Sequence, residues 1–342
     1  MSNQNINRLF EALAPNVEQK EKMLHTILEQ NKNNNKRKRG YRYAQRLRPA
    51  VLAGALTVGL AATAFAATYT GLDEKFIKFL NPANDEQAHQ LSNGAYAVNK
   101  QVKNEKGTLT IKQVIGDSHL TYLLMDFSAP KGTVLDAARY RFLEYDLTTR
   151  QSYQSVGFQI LDDGNSSDNR ISMVMSIMTE NAIAGRNIHF QLKDLQAAAP
   201  FPGIYTTVIP GVWETEFTLD FKELSASYAV NKSISMFGYH AILQTISVSP
   251  ISIALKVESR SMTAINKAAG PLKEVGPNRH LDNYPITIKY RDGTSETTSL
   301  FNGLHLTENG TQLFTIKTFN KVINDKEIAS IVFFNKEIPI KN

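Results

Sequence analysis

The side chains that could do chemistry are few and scattered. The chain holds seven histidines, His25, His89, His119, His189, His240, His280 and His305, and no cysteine. No two histidines stand three or four positions apart, the spacing that turns two imidazoles toward one metal from a helix face. Without cysteine there is no disulfide, thiolate metal site, cysteine nucleophile or lipoprotein anchor. The patterns GxSxG, HExxH, GxGxxG and the P-loop are absent, and the dispersed carboxylates offer no defensible pair for glycoside hydrolysis. The run Asp162-Asp163-Gly164-Asn165-Ser166-Ser167-Asp168 is rich in the oxygen donors that Ca²⁺ accepts. It lacks the ligand order and closing Glu of an EF-hand, so a solvated hairpin loop is the plainer reading. Asp117 and Asp292 read as turn formers. Trp213, alternating with Phe217, Leu219 and Phe221, reads as core, and Met173, Met175 and Met178 read as strand filler. No catalytic, cofactor-binding or metal-ligating residue is expected, and the chain reads as a non-enzyme.

The element that positions everything else is Pro49 to Tyr69, PAVLAGALTVGLAATAFAATY, 21 residues without a charge. A helix of about 20 residues spans roughly 30 Å, the hydrocarbon thickness of a bilayer. Lys36, Arg37, Lys38, Arg39, Arg42, Arg46 and Arg48 precede it, and Asp73, Glu74 and Lys75 follow. This asymmetry predicts a single-pass plasma-membrane protein with residues 1–48 cytoplasmic, a transmembrane helix over 49–70, and the rest outside the cell. Cleavage at Ala64-Phe65-Ala66, or burial as a soluble helix, are the alternatives. The 48 preceding residues favour an uncleaved signal-anchor.

The formal charge of +6 and pI near 9.2 point superficially to nucleic acid. Residues 1–48 carry 11 Lys/Arg against four Glu, whereas the remainder carries 27 basic and 28 acidic residues. The positive excess is therefore the topology signal, facing anionic headgroups at about 1 kcal/mol per basic residue, and no nucleic-acid partner is expected. An exported region of this size without disulfides fits a bacterial envelope.

Inside, Ile6, Leu9, Phe10 and Leu13 share one helical face. After Ala14-Pro15, Asn16 caps a second helix with Gln19 in the capping-box position, and Met23, Leu24, Ile27 and Leu28 line its apolar stripe. Helices this short are marginal alone, so their stripes are available to a protein partner. A loosely helical tail without one is the alternative.

Outside, 71–107 reads as a linker with a short amphipathic helix over Asp73–Leu80 and a polar loop from Lys100 to Gly107. Period-two alternation then predicts two β-sandwich domains, 108–224 and 225–342, parting near Lys222–Ser227. A hairpin is expected over Thr108–Ile115 and His119–Phe127, and a helical turn over Val134–Arg139. A type I′ hairpin is expected at Arg291-Asp292-Gly293-Thr294. LTIKQVIGDSHLTYLLMDF, from Leu109, and ILQTISVSPISIALKVES, from Ile242, both read strand, short turn, strand. Shared hairpin grammar accounts for that echo, with duplication as the alternative.

The helical segment ALAPNVEQKEKMLHTIL, the basic stretch, the Ala-rich span, LTIKQVIGDSHLTYLLMDF and NKSISMFGYHAILQTISVSPISIALKVE together resemble a family of Firmicute single-pass membrane proteins. It is known as domain of unknown function 4179, with a companion C-terminal immunoglobulin-like domain. The resemblance covers most of the chain and rests on layout. It implies two tandem immunoglobulin-like sandwiches outside and an association with extracytoplasmic-function sigma factors. A sigma factor or other cytoplasmic regulator would then be held by residues 6–28, and a ligand outside the cell remains unknown. This chain departs from the usual anti-sigma domain in having two short helices and no zinc-ligating cysteine. The reading is a membrane-anchored envelope sensor or regulator. The competing one is a non-signalling envelope-binding module whose inner segment only anchors.

Overall fold

A computed structural model describes residues 71–147, 154–161, 168–199, 203–270, 284–299, 303–306, 310–319 and 321–340. The apolar run, the basic cluster, the two helices expected between residues 5 and 30 and Asp162–Ser167 lie outside them. Among the described residues no helix is long and apolar enough to cross a membrane.

The described chain is mainly β, with four antiparallel sheets and three α-helices. It opens on α1 (Glu74–Leu80) and α2 (Asp85–Gly94). Asp73 caps α1 by accepting from Lys75 N at 2.9 Å, and a left-handed Asn81 before Pro82 ends it. Asn84 caps α2 through Gln87 N at 2.9 Å, with Asp85 and Glu86 complementing the dipole of the first turn.

The first half holds β1 (Tyr96–Asn104), β2 (Gly107–Gly116), β3 (Leu120–Ser128), β4 (Tyr140–Leu147), β5 (Gln154–Leu161), β6 (Arg170–Thr179), β7 (Asn187–Ala198) and β8 (Tyr205–Thr218). One sheet runs β1-β2-β3-β6-β5, the other β4-β7-β8. Both feed one core in which Trp213 is fully buried, edge-on to Phe127 and Phe142, with its indole N–H donating to Gly107 O at 3.2 Å. Met173 and Met175 lie in the same core.

The second half holds β9 (Ala226–Met236), β10 (Tyr239–Val248), β11 (Ser252–Glu258), α3 (Met262–Ala269), β12 (Pro285–Tyr290), β13 (Ser295–Ser299), β14 (Gly303–Leu306), β15 (Gln312–Thr318), β16 (Ile328–Phe333) and β17 (Lys336–Pro339). Its sheets run β14-β15-β11-β10-β9 and β13-β12-β16-β17 around a second core. Each half is thus a β-sandwich, and the chain passes between them after Thr218 and before Ala226.

Local expectations are corrected in four places. The polar loop from Lys100 lies largely in β1, an edge strand whose Val98 and Val102 point inward while Lys100 and Lys103 stay outside. The linker also contains α2, which the sequence reading did not anticipate. Residues 134–139 form no helix, and only Leu135 among them is buried. The Asp292-Gly293 hairpin is not type I′, because of its residues only Gly293 is left-handed (φ 86°). Gly293 N donates to Tyr290 O and Tyr290 N to Thr294 O, so a type I turn is followed by a left-handed glycine.

The two halves are copies of one plan. Lys112 is an extra residue between Ile111 and Gln113 in the β2–β3 pairing, and Gln244 is the same extra residue between Leu243 and Thr245 in β10–β11. Opposite these bulges, Asn99 (φ 49°) and Asn231 (φ 45°) are both left-handed. Each sits in the same pentapeptide, Tyr-Ala-Val-Asn-Lys, at Tyr96 and again at Tyr228, and the 132-residue offset holds for the bulges and the following turns. Duplication, not shared hairpin grammar, is the physical account of the echo.

Candidate functional site

The site residues expected inside the cell (Ile6, Leu9, Phe10, Leu13, Met23, Leu24, Ile27 and Leu28), with the basic cluster Lys36 to Arg48, lie outside the described residues. Among the described residues no three His, Cys, Asp or Glu side chains gather as metal ligands. Asp168 does turn work, its carboxylate accepting from Arg170 N at 2.8 Å. What the structure does bring together is a seam between the halves.

Both large sheets turn their outer faces inward onto the seam. β3 and β11 are accordingly buried on both faces over most of their length, so LTYLLMDF reads as one apolar run rather than an alternation. Ile115, Leu120, Leu124 and Val174 from the first half meet Ile251, Ala254, Phe314 and Ile316 from the second, with Phe76, Leu80 and Leu91 of the helices between them. α1 therefore belongs to a third core. Its last carbonyl, Leu80 O, accepts from Val322 N at 3.2 Å. α2 supports the crossing segment, because Gly94 O accepts from Lys222 N at 3.1 Å. A Cβ on Gly94 would stand 2.7 Å from Leu224 Cδ2, so a larger residue there would have to push the leucine side chain aside.

At the centre of the seam two equivalent turns touch. Asp117 closes the β2–β3 turn, its Oδ1 accepting from His119 N and Leu120 N at 2.8 Å each. Ser249 closes the β10–β11 turn the same way, its Oγ accepting from Ile251 N at 3.1 Å and Ser252 N at 2.9 Å. The second carboxylate oxygen of Asp117 then crosses the seam and accepts from Ser249 Oγ at 2.5 Å and Ser252 Oγ at 2.6 Å. Asp117 and Ser249 are both buried, and four hydrogen bonds satisfy the carboxylate. Reading Asp117 as a turn former is therefore correct but incomplete. Nothing local to the turn predicts the second oxygen's partners.

His119 fills the next position. Its ring nitrogens lie 3.2 Å from Thr179 O and 3.3 Å from Ser247 Oγ, and its ring stacks at a tilt 5.0 Å from Phe314. Burial pushes its pKa below the ordinary 6.5, with Lys256 adding to the fall and Asp117 opposing it. The neutral ring is therefore favoured in the fold, and the unfolded chain takes up the proton first. Stability is complete above the ordinary value and falls as pH drops through 6.5 toward the depressed folded value. A pH series of thermal midpoints should show this decline, and His119→Gln should flatten it. An equal slope in the variant would assign the decline to other groups.

The stem that leads into α1 is clamped on the first half's large sheet. The bulge at Lys112 turns consecutive side chains toward it. Asp73 N donates to Gln113 Oε1 at 2.8 Å, Gln113 Nε2 donates to Gly71 O at 3.0 Å, and Lys112 pairs with the Asp73 carboxylate. Lys75 Nζ reaches Ser172 Oγ at 2.6 Å, whose hydroxyl donates to Asp126. The repeated pentapeptide is the signal that could have led to the seam, since it marks both halves and fixes which turns are equivalent.

No protein-family model and no curated protein matches the chain. Among solved structures it is similar to the crystal structure of the conserved domain protein from Bacillus anthracis, at 15% identity and a TM-score of 0.50, over 77% of this chain and 84% of that one. At that identity the likeness speaks for the fold alone.

Proposed function

We propose that the chain is a bacterial single-pass envelope sensor or regulator, anti-sigma-factor-like, whose outer part is a fused pair of immunoglobulin-like sandwiches. Lettered A to G, β2-β3-β6-β5 facing β4-β7-β8 is the order A-B-E-D against C-F-G of an immunoglobulin constant-type sandwich. The second half repeats it with β13 added beside β12, and β1 and β9 add one strand before A in each half.

The observation that carries the reading is the clamped stem. The residues that follow the uncharged 49–69 run are held by bulge side chains and continue into α1, which is buried between the halves. A change at the seam is thus linked to the chain entering the membrane-length run. On this reading the run spans the bilayer, Lys36 to Arg48 face the headgroups, and the stripes of Ile6 to Leu28 hold a sigma factor or similar regulator.

Affinity capture of the full-length protein from its native cells tests the partner. The wild type should retain a cytoplasmic sigma factor or comparable regulator. A variant with Leu9, Phe10, Leu24 and Leu28 changed to Asp should lose at least tenfold of it, because charges on the stripe cannot enter an apolar groove. Equal capture by both, or none by either, leaves the anchor-only reading standing.

A further inference from the structure

The seam contains one polar group it does not use. Tyr122 is 7% exposed, its ring meets Phe79 edge-on at 5.1 Å, and its hydroxyl has no hydrogen-bond partner among the described residues. A buried phenol normally finds a partner, and leaving one unmade costs about 1–3 kcal/mol. Burial, with Asp117 adding to it, pushes this phenol's pKa up, so it stays protonated and able to donate. The equivalent position in the second half is Ala254, which closes its side of the seam without a polar atom.

Beside Tyr122 the sheet is hollowed. Pairing places Ile115, Tyr122, Ser176 and Gly157 in one lateral row across β2, β3, β6 and β5, and the side chains shrink from the tyrosine toward the edge. A Cβ on Gly157 would lie 2.8 Å from Ser176 Oγ, so the space depends on glycine there. Phe79 and Leu80 of α1 form one wall, Val174 and Met178 another, and Phe319 of the second half a third, while Gln159, Ser176 and Thr318 add polar groups to the lining. The cleft measures about 260 Å³ and is lined by no charged side chain. That is room for a single ring with a substituent, since an apolar cavity of roughly 150 Å³ already admits benzene.

We propose that this cleft is a binding site for a small neutral aromatic molecule carrying one hydrogen-bonding group, its ring on the apolar walls and its polar group on the Tyr122 hydroxyl. The site touches α1 and both halves, and it stands whether or not the cytoplasmic helices capture a regulator. Full-length protein in lipid nanodiscs, titrated with 4-fluorophenol and followed by ¹⁹F line broadening against empty nanodiscs, tests it directly. Saturable binding is expected. Tyr122→Phe should weaken it at least tenfold while leaving the thermal midpoint unchanged or raised, because the variant removes an unsatisfied group and keeps the ring. Gly157→Val should abolish it by filling the hollow. Fluorobenzene, which has the ring without the hydroxyl, should bind at least tenfold more weakly than 4-fluorophenol. The proposal is overturned if no saturable component exceeds the empty nanodiscs, if Tyr122→Phe binds as the wild type does, or if fluorobenzene matches 4-fluorophenol. Tyr122→Phe is conservative enough to decide the matter even if Gly157→Val does not fold.

Discussion

Asp117→Ala lowers the stability of the β region by on the order of 3 kcal/mol and uncouples its two halves. The substitution leaves His119 N, Leu120 N and the hydroxyls of Ser249 and Ser252 without their acceptor, all of them in a buried seam. Each orphaned buried donor costs about 1–3 kcal/mol, reduced where a hydroxyl can turn elsewhere. The measurement exploits the single tryptophan. Trp213 lies in the first core, so its fluorescence reports that half, whereas far-UV circular dichroism reports both. In the wild type the two probes should give coincident urea transitions, the mark of one cooperative unit. In Asp117→Ala the midpoints should separate. Asp117→Asn should cost less, about 1–2 kcal/mol, since its amide oxygen keeps the two backbone donors and the serine hydroxyls can reorient toward its NH₂. Coincident transitions in Asp117→Ala, with a loss under about 1 kcal/mol, would mean that the apolar contacts alone join the halves.

The second large effect is at Phe76. Its ring is completely buried in α1, within 6.2 Å of the Phe79 ring and in the core shared by both halves. Phe76→Ala should cost about 3–5 kcal/mol, the usual range for an aromatic deleted from a packed interior. A seven-residue helix has little stability of its own, so the loss falls on α1 first. Hydrogen exchange should show the amides of 74–80 losing protection at concentrations of urea where β3 and β6 keep theirs. Lys78→Ala, on the exposed side of the same helix, should change stability by less than about 0.5 kcal/mol. If Phe76→Ala behaves like Lys78→Ala, α1 is a passenger and the mechanical link proposed between stem and seam fails.

Much of the β architecture is legible in the sequence because period-two alternation marks strands, but Ile251, Ile253, Leu255 and Val257 alternate as a half-buried strand would, whereas β11 is buried on both faces against the seam. Other elements were hidden for identifiable reasons. β1 is an edge strand, so its lysines resemble loop composition. α2 has a polar exposed side and buries little beyond Gln87 and Leu91. From sequence the region predicts two strands, Thr206–Val208 and Trp213–Phe221, because Pro210-Gly211 interrupts the pattern that the single β8 spans. The structure keeps it whole by letting Asp194 turn left-handed (φ 54°) and accept from Gly211 N at 2.9 Å. The seam is long-range by nature. Asp117 and Ser249 are ordinary turn residues in their own hairpins, and their pairing depends on the sheets that carry them. The cleft is equally silent, because Tyr122, Ser176 and Gly157 come from three different strands.

The contact between the equivalent turns also bears on how separate molecules of this protein treat one another. Copies descended from one unit share the same end surface, and such ends invite pairing between chains as readily as within one. Here the two descendants differ at the decisive position, acid in one and alcohol in the other. An Asp117 turn meeting its own kind would press two carboxylates into a dry interface, which is strongly unfavourable. A Ser249 turn meeting its own kind would lack the acceptor that the acid supplies. Divergence after duplication has therefore written a lock that only its intramolecular key fits, protecting the fused pair from exchanging halves with neighbouring molecules.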